Sequence, residues 1–86
     1  MLASSGAVRF EAVTVNQDNE LARLSLAKAN LFARTSLRVL AIRKPGNRLF
    51  SISPAPETVL DPGTILIVTG PAAEITKLVS LAGDWA

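Results

Sequence analysis

The 86-residue chain has no cysteine and no histidine. Those two absences remove a disulfide framework, a zinc site of cysteine and histidine ligands, and every nucleophile-and-base arrangement that relies on imidazole. No stretch approaches the roughly 20 apolar residues needed to cross a bilayer. The amino terminus, Met1 to Gly6, lacks the charged and apolar regions of a signal peptide. A soluble, cytoplasmic chain is the expectation. Charge is scarce as well: nine basic residues stand against seven acidic ones, a net +2 that reads as a small excess spread along the chain and gives no reason to expect nucleic acid. Phe10, Phe32 and Phe50 fall where apolar packing is expected, so the exposed aromatics of a nucleic-acid surface are not anticipated. The serines have no base and no carboxylates converge, so the chain is not read as an enzyme, and no metal site is expected.

What the chain does have is apolar surface. Hydrophobic residues make up 49% of it, with a mean hydropathy of +0.35. A chain this short buries only about 60 to 65 per cent of its unfolded surface, so an apolar face left for self-association is expected.

The organising stretch is Leu37 to Gly70. Three runs rich in β-branched or large apolar residues, 39–42, 49–52 and 65–68, are closed off by proline or glycine and read as strands. Lys44-Pro45-Gly46-Asn47 has the composition of a type II turn and predicts a tight hairpin between the first two. The prolines of Pro54 to Gly63 cannot donate to a ladder, which predicts an ordered excursion outside the sheet ending in an Asp61-Pro62-Gly63 turn. Val8 to Val15 reads as an earlier strand, with Val13 and Val15 facing opposite to Phe10. Asn16 to Asn19 ends it. Ser25 is a candidate N-cap for a short helix over 25–30 or slightly beyond, anchored by Leu21 and Leu24. Arg34-Thr35-Ser36 then leads back to the hairpin. Pro71 opens a second helix whose buried stripe is Ile75, Leu78, Val79 and Ala82, with Gly83 as its stop. Residues 1–7 read as disordered or linker, and 83–86 as a tail in which Trp85 docks on its own domain or a partner. The expected fold is therefore a single small α+β domain over 8–86, in β-α-β-β-β-α order, with a mostly antiparallel sheet and two helices, pairing as a dimer.

Three segments in this order carry a resemblance: the leucine-anchored Ser25 to Leu31, the strand Val39 to Lys44 ending in Ile-Arg-Lys, and the proline loop with final strand, Pro56 to Gly70. Together they resemble the RCK C-terminal domain, also called the TrkA-C domain, over nearly the whole chain. Two positions depart from the family pattern: Gly63-Thr64 stands where Gly-Asp is usual, and Ser36 where glycine is frequent. The resemblance implies a cytoplasmic regulatory dimer of a potassium channel, potassium uptake system or cation/proton antiporter, held near the inner membrane by that transporter on the same or a separate chain. A small ligand at the dimer cleft, cyclic di-AMP or another nucleotide, would bias the gate. For a divalent cation the carboxylates Glu11, Asp18, Glu20, Glu57 and Asp61 are scattered. The alternative is a purely structural dimerisation module with no ligand of its own.

The residues expected to meet such a ligand lie around the predicted hairpin. Arg43 ends its strand, Asn47 and Arg48 sit at the tip, and Ile42 and Pro56 are the aliphatic and loop positions carried over from the family. Arginine suits this task because its planar fork pairs with phosphate oxygens in a bidentate way. Lys44 beside them reads as a solvated turn residue.

Overall fold

A computed structural model describes residues 8–85; the expectation of a disordered or linker segment at residues 1–7 lies outside the described residues. The chain runs β1 (Val8–Val15), α1 (Leu26–Ala29), α2 (Leu31–Thr35), β2 (Arg38–Arg43), β3 (Ser51–Ile52), β4 (Ile65–Pro71), α3 (Ala72–Ala82) and β5 (Gly83–Trp85). All strand pairs are antiparallel, and the sheet order is β3-β2-β4-β1-β5. Strand β4 sits at the centre.

The helices pack on one face of this sheet. Val13 and Val15 of β1, Ile42 of β2, and Leu66 and Val68 of β4 form one buried cluster with Leu31, Ile75, Leu78 and Ala82. Alternation along β2 should not place both Val39 and Ile42 inward, since they are three residues apart. A β-bulge between Val39 and Ala41 supplies the odd residue, so Val39 aligns with Val68 and Ile42 with Leu66, both inward. Leu40 is the residue left over, and it is exposed.

Several boundaries differ from expectation for identifiable reasons. The Lys44-Pro45-Gly46-Asn47 turn forms, with Asn47 N–H donating to the Lys44 carbonyl at 3.1 Å and Gly46 at φ +85°. The last β2–β3 pair, however, is Ile42 with Ser51. The hairpin is therefore not tight: residues 44–50 form a loop, and Leu49 and Phe50 stay out of the ladder. The first helix is two short helices hinged at Asn30, whose left-handed φ of 48° ends α1 and starts α2. Pro71 remains the last residue of β4, and α3 begins at Ala72. Gly83 stops the helix but opens a fifth strand, where Trp85 pairs with Val13; the docking expected of the Trp85 side chain lies outside what the structure describes.

The three phenylalanines overturn the packing assigned to them. Phe10 is 67% exposed and Phe32 56%, and Phe50 is exposed as well. Phe10 pairs with Thr69 on the face of β1 opposite the core, Phe32 points away from the buried stripe of Leu31 and Thr35, and Phe50 lies in the loop.

The proline excursion does not float. Its carbonyls at Thr58 and Pro56 accept from the N–H groups of Leu26 and Ala27, each at 2.9 Å, while Ser25 Oγ accepts from Lys28 N–H at 3.2 Å. The orphan donors at the start of α1 are thus satisfied by the loop and by the cap. Leu60 is buried at the loop's end, and its N–H reaches the Leu24 carbonyl at 2.7 Å.

Ser36 and Thr64, the positions where the chain departs from the pattern it resembles, each carry a consequence for stability. Ser36 caps α2 in the left-handed region at φ 60° and ψ 14°, a conformation that costs a non-glycine residue about 1 kcal/mol or somewhat more. Ser36→Gly is expected to raise the urea unfolding free energy by about 1 kcal/mol; a loss of stability contradicts this. Thr64 is fully buried, and its hydroxyl has no hydrogen-bond partner among the described residues. Thr64→Val is therefore expected to stabilise the chain by about 1 kcal/mol in the same measurement, and a loss of that size would show that the hydroxyl is in fact bonded.

Candidate functional site

The broken helix pair and the start of β2 enclose a groove of about 310 Å³ lined by Leu26, Ala27, Asn30, Leu31, Phe32, Leu37, Arg38, Val39 and Pro54. Its floor consists of the core residues Leu31 and Leu37, which are 4% and 1% exposed. Its rim carries the polar groups. The Asn30 side chain makes no capping bond, so its amide is free to meet a ligand. The Arg38 guanidinium lies over the Phe32 ring, 4.6 Å from the centroid, close enough for cation–π attraction. Pro54 closes the far side, just after Ser53, whose N–H bonds the Leu40 carbonyl at 2.9 Å and whose φ of 51° turns the chain. An apolar floor, an aromatic wall, one amide and one fixed cation suit a planar, anionic molecule.

The residues expected to form a site do not come together as one. Ile42 is 2% exposed and faces the core. Arg43 lies on the opposite face, its guanidinium 5.2 Å from the centre of the Phe50 ring. Asn47 and Arg48, with Leu49 and Ser51, line a second depression of about 510 Å³ at the hairpin loop. Pro56 is exposed, and its carbonyl is committed to α1. Lys44, read as solvated, bonds the Val59 carbonyl and pairs with Asp61 at 2.8 Å. Asn30, Phe32 and Arg38 were not singled out as site residues. A basic residue six positions after an aromatic was visible, but the hinge that turns Phe32 outward was not.

Charge is not spread as the composition suggested. Arg23, Lys28, Arg34, Arg38, Arg43, Lys44 and Arg48 all lie between Leu21 and Pro56, and no acidic residue does. Arg34 is paired with Glu20 and Lys44 with Asp61. The other five have no carboxylate partner among the described residues.

The outer face of the sheet carries no helix. Its residues fall in register across the strands: Phe10, Thr69 and Arg38; Ala12, Ile67, Ala41 and Ile52; Thr14, Ile65 and Arg43. Ile52 is 75% exposed. This face holds two arginines at the ends of β2, and Asp84 of β5 shares the register of Thr14 at the opposite side of the sheet.

The TrkA-C domain family matches residues 10–83. This chain belongs to that family. A relative of the TrkA-C chain, a probable potassium channel protein of Methanocaldococcus jannaschii, is 31% identical over 74 residues, covering 86% of this chain and 21% of its own length. The chain thus spans about a fifth of that relative. Solved structures share the fold. The RCK_C domain dimer of S. agalactiae BusR in complex with c-di-AMP matches at a TM-score of 0.73 and 22% identity, over 91% of both chains. The RCK C domain of the potassium transport protein KtrA, in complex with c-di-AMP, matches at a TM-score of 0.72 and 22% identity, over 83% of this chain and 79% of that one. The GsuK channel bound to NAD matches at 0.73 and 24% identity, over 86% of this chain and 13% of that one. Among the described residues of the TrkA-C chain no helix is long and apolar enough to cross a membrane, and no three acidic residues group as metal ligands.

Proposed function

We propose that this TrkA-C domain is a cytoplasmic ligand-sensing module of a potassium channel, potassium uptake system or cation/proton antiporter. In this reading it pairs with a second copy through the outer face of its sheet and takes an anionic nucleotide in the Phe32–Arg38 groove. The observation that carries the reading is the position of Arg38, which belongs both to the groove wall and to the outer face, opposite Thr69. A second copy laid on that face closes the groove, so a molecule in the groove meets both copies.

The electrostatics make the coupling concrete. The outer face offers Arg38 and Arg43, neither with a carboxylate partner among the described residues, and a symmetric partner adds the same two again. Apolar burial favours pairing while the like charges oppose it. An anion seated beside Arg38 removes part of that repulsion and so binds the paired state better than the separate one, which is what a ligand needs in order to shift an equilibrium. Cyclic di-AMP fits by chemistry: its purines suit the apolar floor and the Phe32 ring, and its phosphodiesters suit arginine. The complexes of BusR and KtrA with c-di-AMP and of GsuK with NAD support a nucleotide as the ligand class. The hairpin set Arg43, Asn47, Arg48 and Pro56 is the rival location. The two places lie at opposite ends of β2, about 17 Å apart at the usual strand rise.

The pairing is tested by light scattering. The chain is expected to be a dimer at micromolar concentration and Ile52→Asp a folded monomer, because Ile52 is 75% exposed in the single chain and contributes little to its core. A monomeric wild type, or a dimer that tolerates the aspartate, contradicts the interface. The ligand is tested by thermal shift and calorimetry. Cyclic di-AMP at about 100 times its dissociation constant adds about 2.7 kcal/mol, which raises Tm by roughly 15 °C for a chain of this size. Arg38→Ala is expected to weaken binding about tenfold or more, in line with the loss of a charged hydrogen bond. If Arg38→Ala is silent and Arg43→Ala weakens binding, the ligand sits at the hairpin; no shift with any nucleotide leaves only the structural dimer.

A further inference from the structure

The groove between the broken helix pair and β2 has one side chain equipped to tell ligands apart. All but two of its lining residues are apolar, the exceptions being Arg38 and Asn30. Arginine only donates, so Asn30 is the lining side chain with both a donor and an acceptor. Its backbone is already committed: the N–H donates to the Leu26 carbonyl at 3.1 Å, and the carbonyl accepts from the Arg34 N–H at 3.2 Å. Its carboxamide makes neither a capping bond nor any other hydrogen bond among the described residues. The left-handed backbone, at φ 48° and ψ 49°, holds the root of this side chain at the break between α1 and α2, on the groove rim. A volume of about 310 Å³ is at the small end for ligand sites, room for one nucleoside rather than a whole cyclic dinucleotide.

We propose that Asn30 sets base specificity in this groove, reading the N6 and N7 edge of an adenine and rejecting guanine. The inference rests on the nucleotide reading above and narrows it to one base. On that edge adenine presents a donor at N6 and an acceptor at N7, which a single carboxamide meets with its oxygen and its NH2 together. Guanine presents two acceptors there, O6 and N7, so the carboxamide oxygen faces a like lone pair. A polar group left unpaired in a desolvated site is what turns one mismatched contact into discrimination. The apolar floor cannot make this distinction, because both purines offer the same kind of face to Leu31 and Leu37. Nor does Arg38, whose charge in this reading meets phosphate whichever base is attached. Asparagine is among the few residues that tolerate the left-handed region, so backbone geometry by itself also accounts for its type. Glycine tolerates that region as readily, and a glycine at this position separates the two roles.

The test is calorimetric titration of the 86-residue chain with cyclic di-AMP, cyclic di-GMP and the 7-deaza analogue of cyclic di-AMP, which lacks the N7 acceptor. The wild type is expected to bind cyclic di-AMP about tenfold or more tightly than either of the others. Asn30→Gly is expected to melt within a few degrees of the wild type and to bring the three affinities within about threefold of one another, chiefly by losing affinity for cyclic di-AMP. Arg38→Ala is expected to weaken all three together and keep their order. Equal affinities in the wild type overturn the proposal, and that comparison involves no substitution that could disturb folding. A preference that survives Asn30→Gly, while Arg38→Ala weakens binding, overturns the proposal and leaves the groove as the nucleotide site. If both substitutions are silent, or if no nucleotide binds, the groove reading falls and the proposal falls with it.

Discussion

One face of the sheet has helices and the other has none, and the rest of the molecule depends on that imbalance. A small chain can afford one buried core. Here it lies between β1, β2 and β4 on one side and α2 and α3 on the other, with Leu66 and Val68 of the central strand fully buried. The outer residues of the same strands cannot reach it, because successive side chains point to opposite faces. Ile52, Ile67, Ile65 and Phe10 are therefore displayed together, in register, without a cover of their own. The apolar excess in the composition is concentrated on this face.

Local irregularities then shape what the scaffold presents. The bulge in β2 turns both Val39 and Ile42 inward and leaves Arg38 and Arg43 on the outer face at the two ends of the strand. The left-handed residues Asn30 and Ser36 bracket α2, breaking what would have been one helix and swinging Phe32 out beside Arg38. The bulge completes the core with Val39 and Ile42, whereas Asn30 and Ser36 are exposed and add nothing to it. Each spends some conformational free energy to place a polar or aromatic side chain, as expected where structure serves binding rather than stability.

Much of the fold was legible in the sequence because it rests on periodicity and turn chemistry. The β1 strand, the β4 run, the α3 stripe and both proline–glycine turns follow from alternation, helical spacing and the φ preferences of proline and glycine. The two-residue β3 was overread because Leu49-Phe50-Ser51-Ile52 has strand composition, yet strand identity is conferred by pairing, and only Ser51 and Ile52 find partners. β5 was invisible for the same reason: Gly83-Asp84-Trp85 has no strand signal, and it pairs because α3 delivers it to the free edge of β1. The expected site residues cluster in sequence around a loop, whereas the groove joins segments 26–32, 37–39 and 54, and only the folded topology brings those together. The phenylalanines show the limit most plainly. Hydrophobicity alone does not tell which face of a helix or strand a ring occupies, and all three point outward.

That outward placement bears on how the proposed ligand-sensing dimer would exert control. Two like charges about 4 Å apart repel by about 1 kcal/mol in bulk water and by about 4 kcal/mol under the screening typical of a protein surface. In the proposed dimer, arginines brought together across a symmetric face would repel by an amount set by their separation. Apolar burial on the same face opposes them with a term of comparable size, since an exposed isoleucine gains about 1.5 to 3 kcal/mol when fully covered. Opposing terms of similar magnitude leave paired states close in free energy, and each 1.4 kcal/mol of bias moves their ratio about tenfold. A dianionic ligand that neutralises one arginine from each copy acts on one side of this balance without altering the core. A glutamate or aspartate paired with Arg38 would satisfy the cation permanently and leave the ligand nothing to supply, and no such pair occurs among the described residues.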